Sequence, residues 1–386
     1  MKVSEAEQIG GATVGSEEST ALARAETQGL TVRSASLVRR GLRDLARDSN
    51  WLIKKVFAGY SKRVAISDTG QVCAIPNSGQ GSAQRLVLYD IELNVPTLTL
   101  SVPDEIASAP GNSKAAFAWS AGSRFLVAAW EGWRIPALHI FDLHSKVLAG
   151  TFGGFTNFPS RLGWSGGGKH FAAASSGGKN ASLRVWSVGE GAVPCSAVAQ
   201  HEMGLPEGFE RQTYEAEFGE EGAFAGYGSF AFSPDERTLA SVAEIRGDWA
   251  DDSIVLVDAT TLAKRNVFNG QGHITDLTWT ADSRWIVYCA GGQAYRLEIA
   301  KEDAESLPFG AELCACHPQL ALCLCFSSWL KNSAKGRLSV VDLNTLEILD
   351  EHAAENIADL RWNGDGSKAY AVTSDGMGYV YEPPAI

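Results

Sequence analysis

Two stretches of this chain carry residue types whose spacing could do chemistry. Gly163-Trp164-Ser165-Gly166-Gly167 matches the G-x-S-x-G nucleophile elbow of serine hydrolases. That chemistry needs the serine on a sharp strand-to-helix turn, with an acid and a histidine following in an α/β sheet. Cys314, Cys316 and His317, followed by Cys323 and Cys325, have the density of a zinc or redox cluster, where thiolates and an imidazole would complete a tetrahedron. His201-Glu202 begins like a metalloprotease helix but lacks the second histidine. The glycine pairs fit turns and open no helices, so no phosphate-binding loop is expected.

The elements that would position these residues decide between the readings. From Trp51 onward apolar residues recur with a period of two, and a larger pattern repeats seven times. Each unit can be anchored on the polar residue that starts its first turn: Ser67, Ser120, Ser165, Ser233, Thr280, His317 and Asn363. Three residues earlier stand Val64, Phe117, Leu162, Phe230, Leu277, Cys314 and Leu360. One residue earlier stand Ile66, Trp119, Trp164, Phe232, Trp279, Cys316 and Trp362. Six residues later stand Cys73, Leu126, Phe171, Leu239, Ile286, Cys323 and Ala369. Positions two apart on a strand face one way, so these residues line a buried face.

On this alignment Ser165 is a turn anchor between two strands, and no α/β domain is left to build a hydrolase around it. Cys314, Cys316 and Cys323 stand where sibling units carry Phe, Leu, Trp or Ile, and Cys325 matches Ile75, Ala128, Ala173, Ser241, Tyr288 and Ala371. A buried free cysteine behaves as a small hydrophobe, which accounts for all four. No catalytic residue, metal site or cofactor is therefore expected.

Each unit closes on a third strand with a common ending: Tyr89-Asp90, Phe141-Asp142, Trp186-Ser187, Val257-Asp258, Leu297-Glu298, Val341-Asp342 and Tyr381-Glu382. Here the chain resembles the WD40 family, whose units end in Trp-Asp and often begin with Gly-His, as Gly272-His273 does. The resemblance covers residues 51–386 and implies an all-β fold, a seven-bladed β-propeller of four-stranded blades. It also implies that His273 is a buried hydrogen-bonding residue, although the family's buried tetrad is mostly incomplete here. The last unit stops after its third strand, so Leu52–Phe57 is expected to pair with Met377–Tyr381 and remove two sheet edges at once.

Ahead of the repeats, residues 1–32 are polar and aperiodic, the composition of a disordered tail. Residues 33–50 read as a short N-terminal helix, with Ser36 as N-cap and Val38, Leu42 and Leu45 on one face. The chain has 45 acidic against 33 basic side chains, a formal charge of −12 that repels phosphate backbones, so nucleic acid is not an expected partner. No apolar run is long enough to span a membrane. Seven cysteines without a secretory signal read as free thiols in a cytoplasmic protein.

With no catalytic constellation left and aromatic loops gathered on one rim, the function expected is a non-catalytic scaffold or adaptor subunit whose protein partners bind the loops. Connections from strand four to one, and from strand two to three, share one rim. Trp130, Trp133 and Arg134 fall in or beside such a connection in blade two, Trp249 in blade four among Asp248, Asp251 and Asp252, and Trp329 in blade six. Tryptophan and arginine are the residue types of interface hot spots. An insertion over residues 200–227, bearing Glu202, Glu207, Glu210, Glu215, Glu217, Glu220 and Glu221 against Arg211, leaves the same rim as a solvated flap or as a landing pad for a basic partner. The competing reading is a propeller enzyme or small-molecule binder with a metal or cofactor in the central channel. That requires Asp, Glu, Asn or His side chains converging from several blades, and few inward carboxylates are expected.

Overall fold

A computed structural model of the chain describes residues 51–55, 61–76, 85–93, 95–101, 115–130, 137–175, 181–188, 199–203, 224–245, 251–328 and 336–383. Both the tail at 1–32 and the helix at 33–50 lie outside the described residues. The strands form seven antiparallel four-stranded sheets, and Trp51–Tyr381 is one compact unit. The innermost strands are Ser61–Ile66, Ala115–Trp119, Pro159–Trp164, Phe224–Phe232, Ile274–Trp279, Leu313–Cys316 and Ile357–Trp362. Each touches the innermost strand of the next blade, and the seventh returns to the first. The ring is closed.

Closure uses the expected device. Trp51–Lys55 is the outermost strand of the seventh blade and pairs antiparallel with Met377–Tyr381, in a register running from Trp51 opposite Tyr381 to Lys55 opposite Met377. The strand begins one residue earlier than expected, and positions 56–57 lie outside the described residues.

The apolar side chains do not pool in one centre. They form seven clusters, each built from the facing sides of two adjacent blades. Leu126, Phe171, Leu239, Ile286, Cys323 and Ala369 are all fully buried, as the repeat alignment requires. Blade one departs from that alignment. Its first turn is one residue shorter, with Ser67 N donating to Gln71 O, so Val72 and not Cys73 stands opposite Ile66.

The anchor side chains hold the first turns. Oγ of Ser120, Ser165 and Ser233 accepts the amide of Phe125, His170 and Thr238, at 2.9, 3.0 and 3.0 Å. Thr280 Oγ1 and Asn363 Oδ1 accept in the same way from Trp285 and Lys368. The closing acids do the matching work at the turn between strands three and four. Oδ1 of Asp142, Asp258 and Asp342 accepts the amides two and three residues ahead, which makes these acids turn caps.

Three residues after the anchor the backbone turns left-handed in six of the seven blades. Gly70, Gly168 and Gly366 satisfy that without strain, but Ser123, Glu236 and Ser283 also adopt it, at φ 57, 58 and 57°. A non-glycine residue there costs about 1–2 kcal/mol. In each case the side chain reaches the preceding blade. Ser123 Oγ donates to Asp68, Ser283 Oγ accepts the Asp235 amide, and Glu236 takes Ser165 Oγ at 2.5 Å and Gly167 N at 2.8 Å. A second series crosses nearer the axis. The indoles of Trp119, Trp279 and Trp362 donate to the carbonyls of Ala65, Ala231 and Ala315 in the preceding blade.

Glu236 tests this stitching. Burial acts to raise its carboxyl, but bonds from Ser165, Lys169 and the Gly167 amide prevail and hold it below the usual range. Glu236→Ala should cost about 1–3 kcal/mol in urea unfolding, because it strands the buried Ser165 hydroxyl and keeps the left-handed penalty. Glu236→Gly, which relieves that penalty, should cost less; equal losses would contradict the assignment.

Candidate functional site

The loop rim is built from strand ends. In blade two, Phe125–Trp130 leads to Leu138–Asp142; in blade four, Thr238–Ile245 leads to Ser253–Asp258; in blade six, Leu322–Ser327 leads to Arg337–Asp342. Trp130 is the last residue of its strand, opposite Ala115. Trp133, Arg134, Trp249 and Trp329, together with 204–223 of the acidic insertion, lie outside the described residues. The chain segments carrying them all leave from the same end of their blades.

Two residues on that rim differ from expectation. Asp252 is fully buried, so it is no part of an exposed acidic surround for Trp249. Its Oδ2 accepts the Ile274 amide at 2.8 Å and contacts His273 Nδ1 at 2.8 Å, tying blade four to blade five. His273 is 70% exposed, so the buried histidine implied by the family resemblance is corrected: the acid is the buried member of the pair. The sequence offers a reason, since the acid precedes the histidine and comes from the blade before it.

Sequence reasoning also missed a polar belt on the innermost strands. Four residues before the anchor, blade five carries Asp276 and blade seven Asp359, where other blades have Arg63, Ala116, Arg161, Ser229 or Leu313. Asp276 Oδ2 accepts the Cys314 amide of the next blade at 3.0 Å, and Oδ1 lies 3.5 Å from Ser229 Oγ of the previous one. Asp359 Oδ2 accepts the Ile66 amide of blade one at 2.7 Å. Burial pushes the Asp276 carboxyl up to about 7, against the Cys314 amide and the charge of Arg161, and burial raises Asp359 as well. Each acid thus spans two blades through a backbone amide. The signal for them was present as alternate positions between the apolar ones, but neither was weighed as a lining residue.

The motifs resolve as framework. Ser165 is buried, donates to Glu236 and accepts the backbone amide of His170, so its oxygen has no free approach to a substrate. Cys314 stands opposite Cys325 and Cys316 opposite Cys323, with Cys289 of blade five in the same apolar cluster. All five are free thiols. Hydrogen bonding between thiols and burial hold Cys314, Cys316 and Cys325 well above the ordinary range, while Cys323, which accepts from Cys316 and Cys325, is drawn down. Among the described residues no three His, Cys, Asp or Glu side chains converge as metal ligands, and no helix is long and apolar enough to cross a membrane.

With this geometry in place, comparison with known proteins fixes the fold. No protein-family model and no curated protein matches the chain. Solved structures do. A chain in a mitotic checkpoint complex superposes with a TM-score of 0.61 at 11% identity, over 86% of this chain and 91% of that one. The Cps50 (Swd1) β-propeller domain of Myceliophteria thermophila gives 0.59 at 12%, over 86% and 100%. The chain is a seven-bladed propeller of WD40-like fold. Hydrazine synthase from Kuenenia stuttgartiensis gives 0.58 at 14%, over 86% and 98%, so the same propeller geometry also occurs in a protein named as an enzyme.

Asp276 supplies a pH test. A carboxyl raised in the folded state favours folding most when protonated, so its contribution is complete below the unfolded value of 3.8 and is lost as pH rises through about 7. Asp276→Asn keeps an acceptor for the Cys314 amide and removes the titration. Its Tm minus that of the wild type should therefore rise by a few degrees between about pH 5 and about pH 8. Parallel Tm curves would restore an ordinary pKa to Asp276.

Proposed function

We propose that the protein is a non-catalytic interaction platform, a scaffold or adaptor subunit that holds protein partners on its loops and turns. The observation that carries this reading is that the nucleophile-like serine and the turn acids hold blades and turns together, while the thiols are packed in the apolar cluster between blades five and six. What varies between blades is the surface. The similar structures add support, since one is a chain of a mitotic checkpoint complex. On this reading Trp130, Trp133, Arg134, Trp249 and Trp329 are the partner contacts of the loop rim, and residues 33–50 are a second contact surface.

A channel ligand is the second reading, favoured by the carboxylates Asp276 and Asp359 and by the enzyme among the similar structures. The amides of Cys314 and Ile66 already occupy one oxygen of each acid, which argues against it.

The test is affinity purification of the tagged full chain at low salt, with mass spectrometry, on the wild type and a Trp133→Ala/Trp249→Ala double variant. A stoichiometric partner reduced about tenfold or more in the variant is expected, as befits the loss of two hot-spot residues. A chain that recovers no stable partner, and is stabilised strongly by Ca²⁺ or Zn²⁺ in a thermal-shift assay, would contradict the scaffold reading.

A further inference from the structure

The repeat shows where one blade breaks its own rule. Two residues before the closing acid, six blades place an aliphatic side chain in the core: Leu88, Ile140, Val185, Leu256, Val340 and Val380, all nearly fully buried. Blade five places Arg296 there, on the strand Gln293–Glu298. Its guanidinium lies 4.8 Å over the ring of Trp285. Nε pairs with Glu305 on the neighbouring strand, and Nη1 donates to Leu343 O of blade six at 2.8 Å. Nη2 has no hydrogen bond among the described residues. Arginine in place of an aliphatic residue loses core packing, and its own bonds need only part of its donor fork.

The facing turn of blade six departs as well. Three residues after the anchor the other blades carry Gly70, Ser123, Gly168, Glu236, Ser283 and Gly366, all left-handed; blade six carries Leu320, which does not take that conformation and is exposed at its surface. The next position holds Arg124, Lys169, Arg237, Arg284 or Ser367 in five siblings and Ala321 in blade six. The two departures meet. Between them lies a pocket of about 540 Å³, within the range of roughly 300–1,000 Å³ typical of ligand sites.

We infer that this pocket between blades five and six binds an extended segment of a protein partner, one that presents a single carboxylate beside a bulky apolar side chain. The inference rests on the interaction-platform reading and adds the chemistry of one ligand. Arg296 is held in place by stacking and two hydrogen bonds, so its remaining donors meet a carboxylate with little further ordering. Trp285, Leu320 and Ala321 supply an apolar wall for the adjacent side chain. Gln319 and Asn344 line the same pocket, and their side-chain carboxamides can pair with peptide backbone. Asp282 is also in the lining, with Oδ1 engaged by Thr280 Oγ1 and the Arg284 amide. Its charge, like the net charge of the chain, disfavours a polyanion and selects one acid in an otherwise apolar segment.

The test selects a phage-displayed library of random dodecapeptides on the full chain, with counter-selection on Arg296→Leu. That variant restores the sibling side chain, so it should fold with an unchanged or higher Tm, which separates loss of binding from loss of structure. Enriched peptides should carry one Asp or Glu next to Leu, Ile, Met or Phe. They should weaken about tenfold or more on Arg296→Leu and on peptide acid-to-amide replacement, the size of a lost charged hydrogen bond, and several-fold on Leu320→Ser. Peptides that bind Arg296→Leu equally, or an absence of enrichment, would overturn the proposal. So would thermal stabilisation by free dicarboxylates without any enriched peptide, which would assign the pocket to a metabolite. A co-purified partner that binds Arg296→Leu as well as the wild type would overturn this pocket while leaving the platform reading intact.

Discussion

No blade of this protein has a core of its own. Each buries its two faces in two different apolar clusters, one shared with the blade before and one with the blade after. The seven clusters therefore form only when the ring closes, and closure depends on Trp51–Lys55 completing the sheet that Met377–Tyr381 leaves open. Apolar burial supplies the attraction but no direction. Direction comes from the polar crossings: indole to carbonyl, Glu236 to the Ser165 turn, Asp276 and Asp359 to amides of the next blade. Each gives a buried polar group its hydrogen-bond partner and fixes the rotation of one blade against its neighbour.

That constraint explains why so much of the chain imitates chemistry. In blade after blade this propeller places a hydrogen-bonding residue at a turn and, in six of the seven, an acid at the end of the third strand. Repeated often enough, these produce an elbow-like Gly-x-Ser-x-Gly around Ser165. Cysteine at aliphatic positions of blade six produces a metal-like spacing in the same way. Residues that break the rule are more informative than residues that match an enzyme motif. Glu236 and Ser283 break it and gain a bond to the preceding blade; Arg296 and Leu320 break it and face a pocket.

The fold was legible because its signals are periodic and local: alternation along strands, a polar anchor, an acid at the close, and one missing strand at the end of the chain. The ring follows from those alone. Less visible was anything set by a single residue of length or by contacts between blades. Blade one has a turn one residue shorter, which moved Val72 into the place assigned to Cys73. His273 sits in a motif of the resembling family, yet its partner Asp252 comes from the preceding blade and takes the burial. Asp276 and Asp359 occupy positions that alternate with core residues, and only the closed ring shows that they reach a neighbour's amide. Arg296 was legible in principle, by aligning the residue two before the closing acid; the site residues weighed from sequence were rim aromatics instead.

The central claim is that the interior is framework and that ligands meet the loops and turns. The most direct measurement is amide hydrogen exchange of the full chain, free and bound to its co-purified partner. The account expects new protection in the loop rim or at the turns around Trp285 and Leu320, with the innermost strands unchanged. Protection centred on the innermost strands near Arg161, Asp276 and Asp359 would place the ligand in the channel and contradict it.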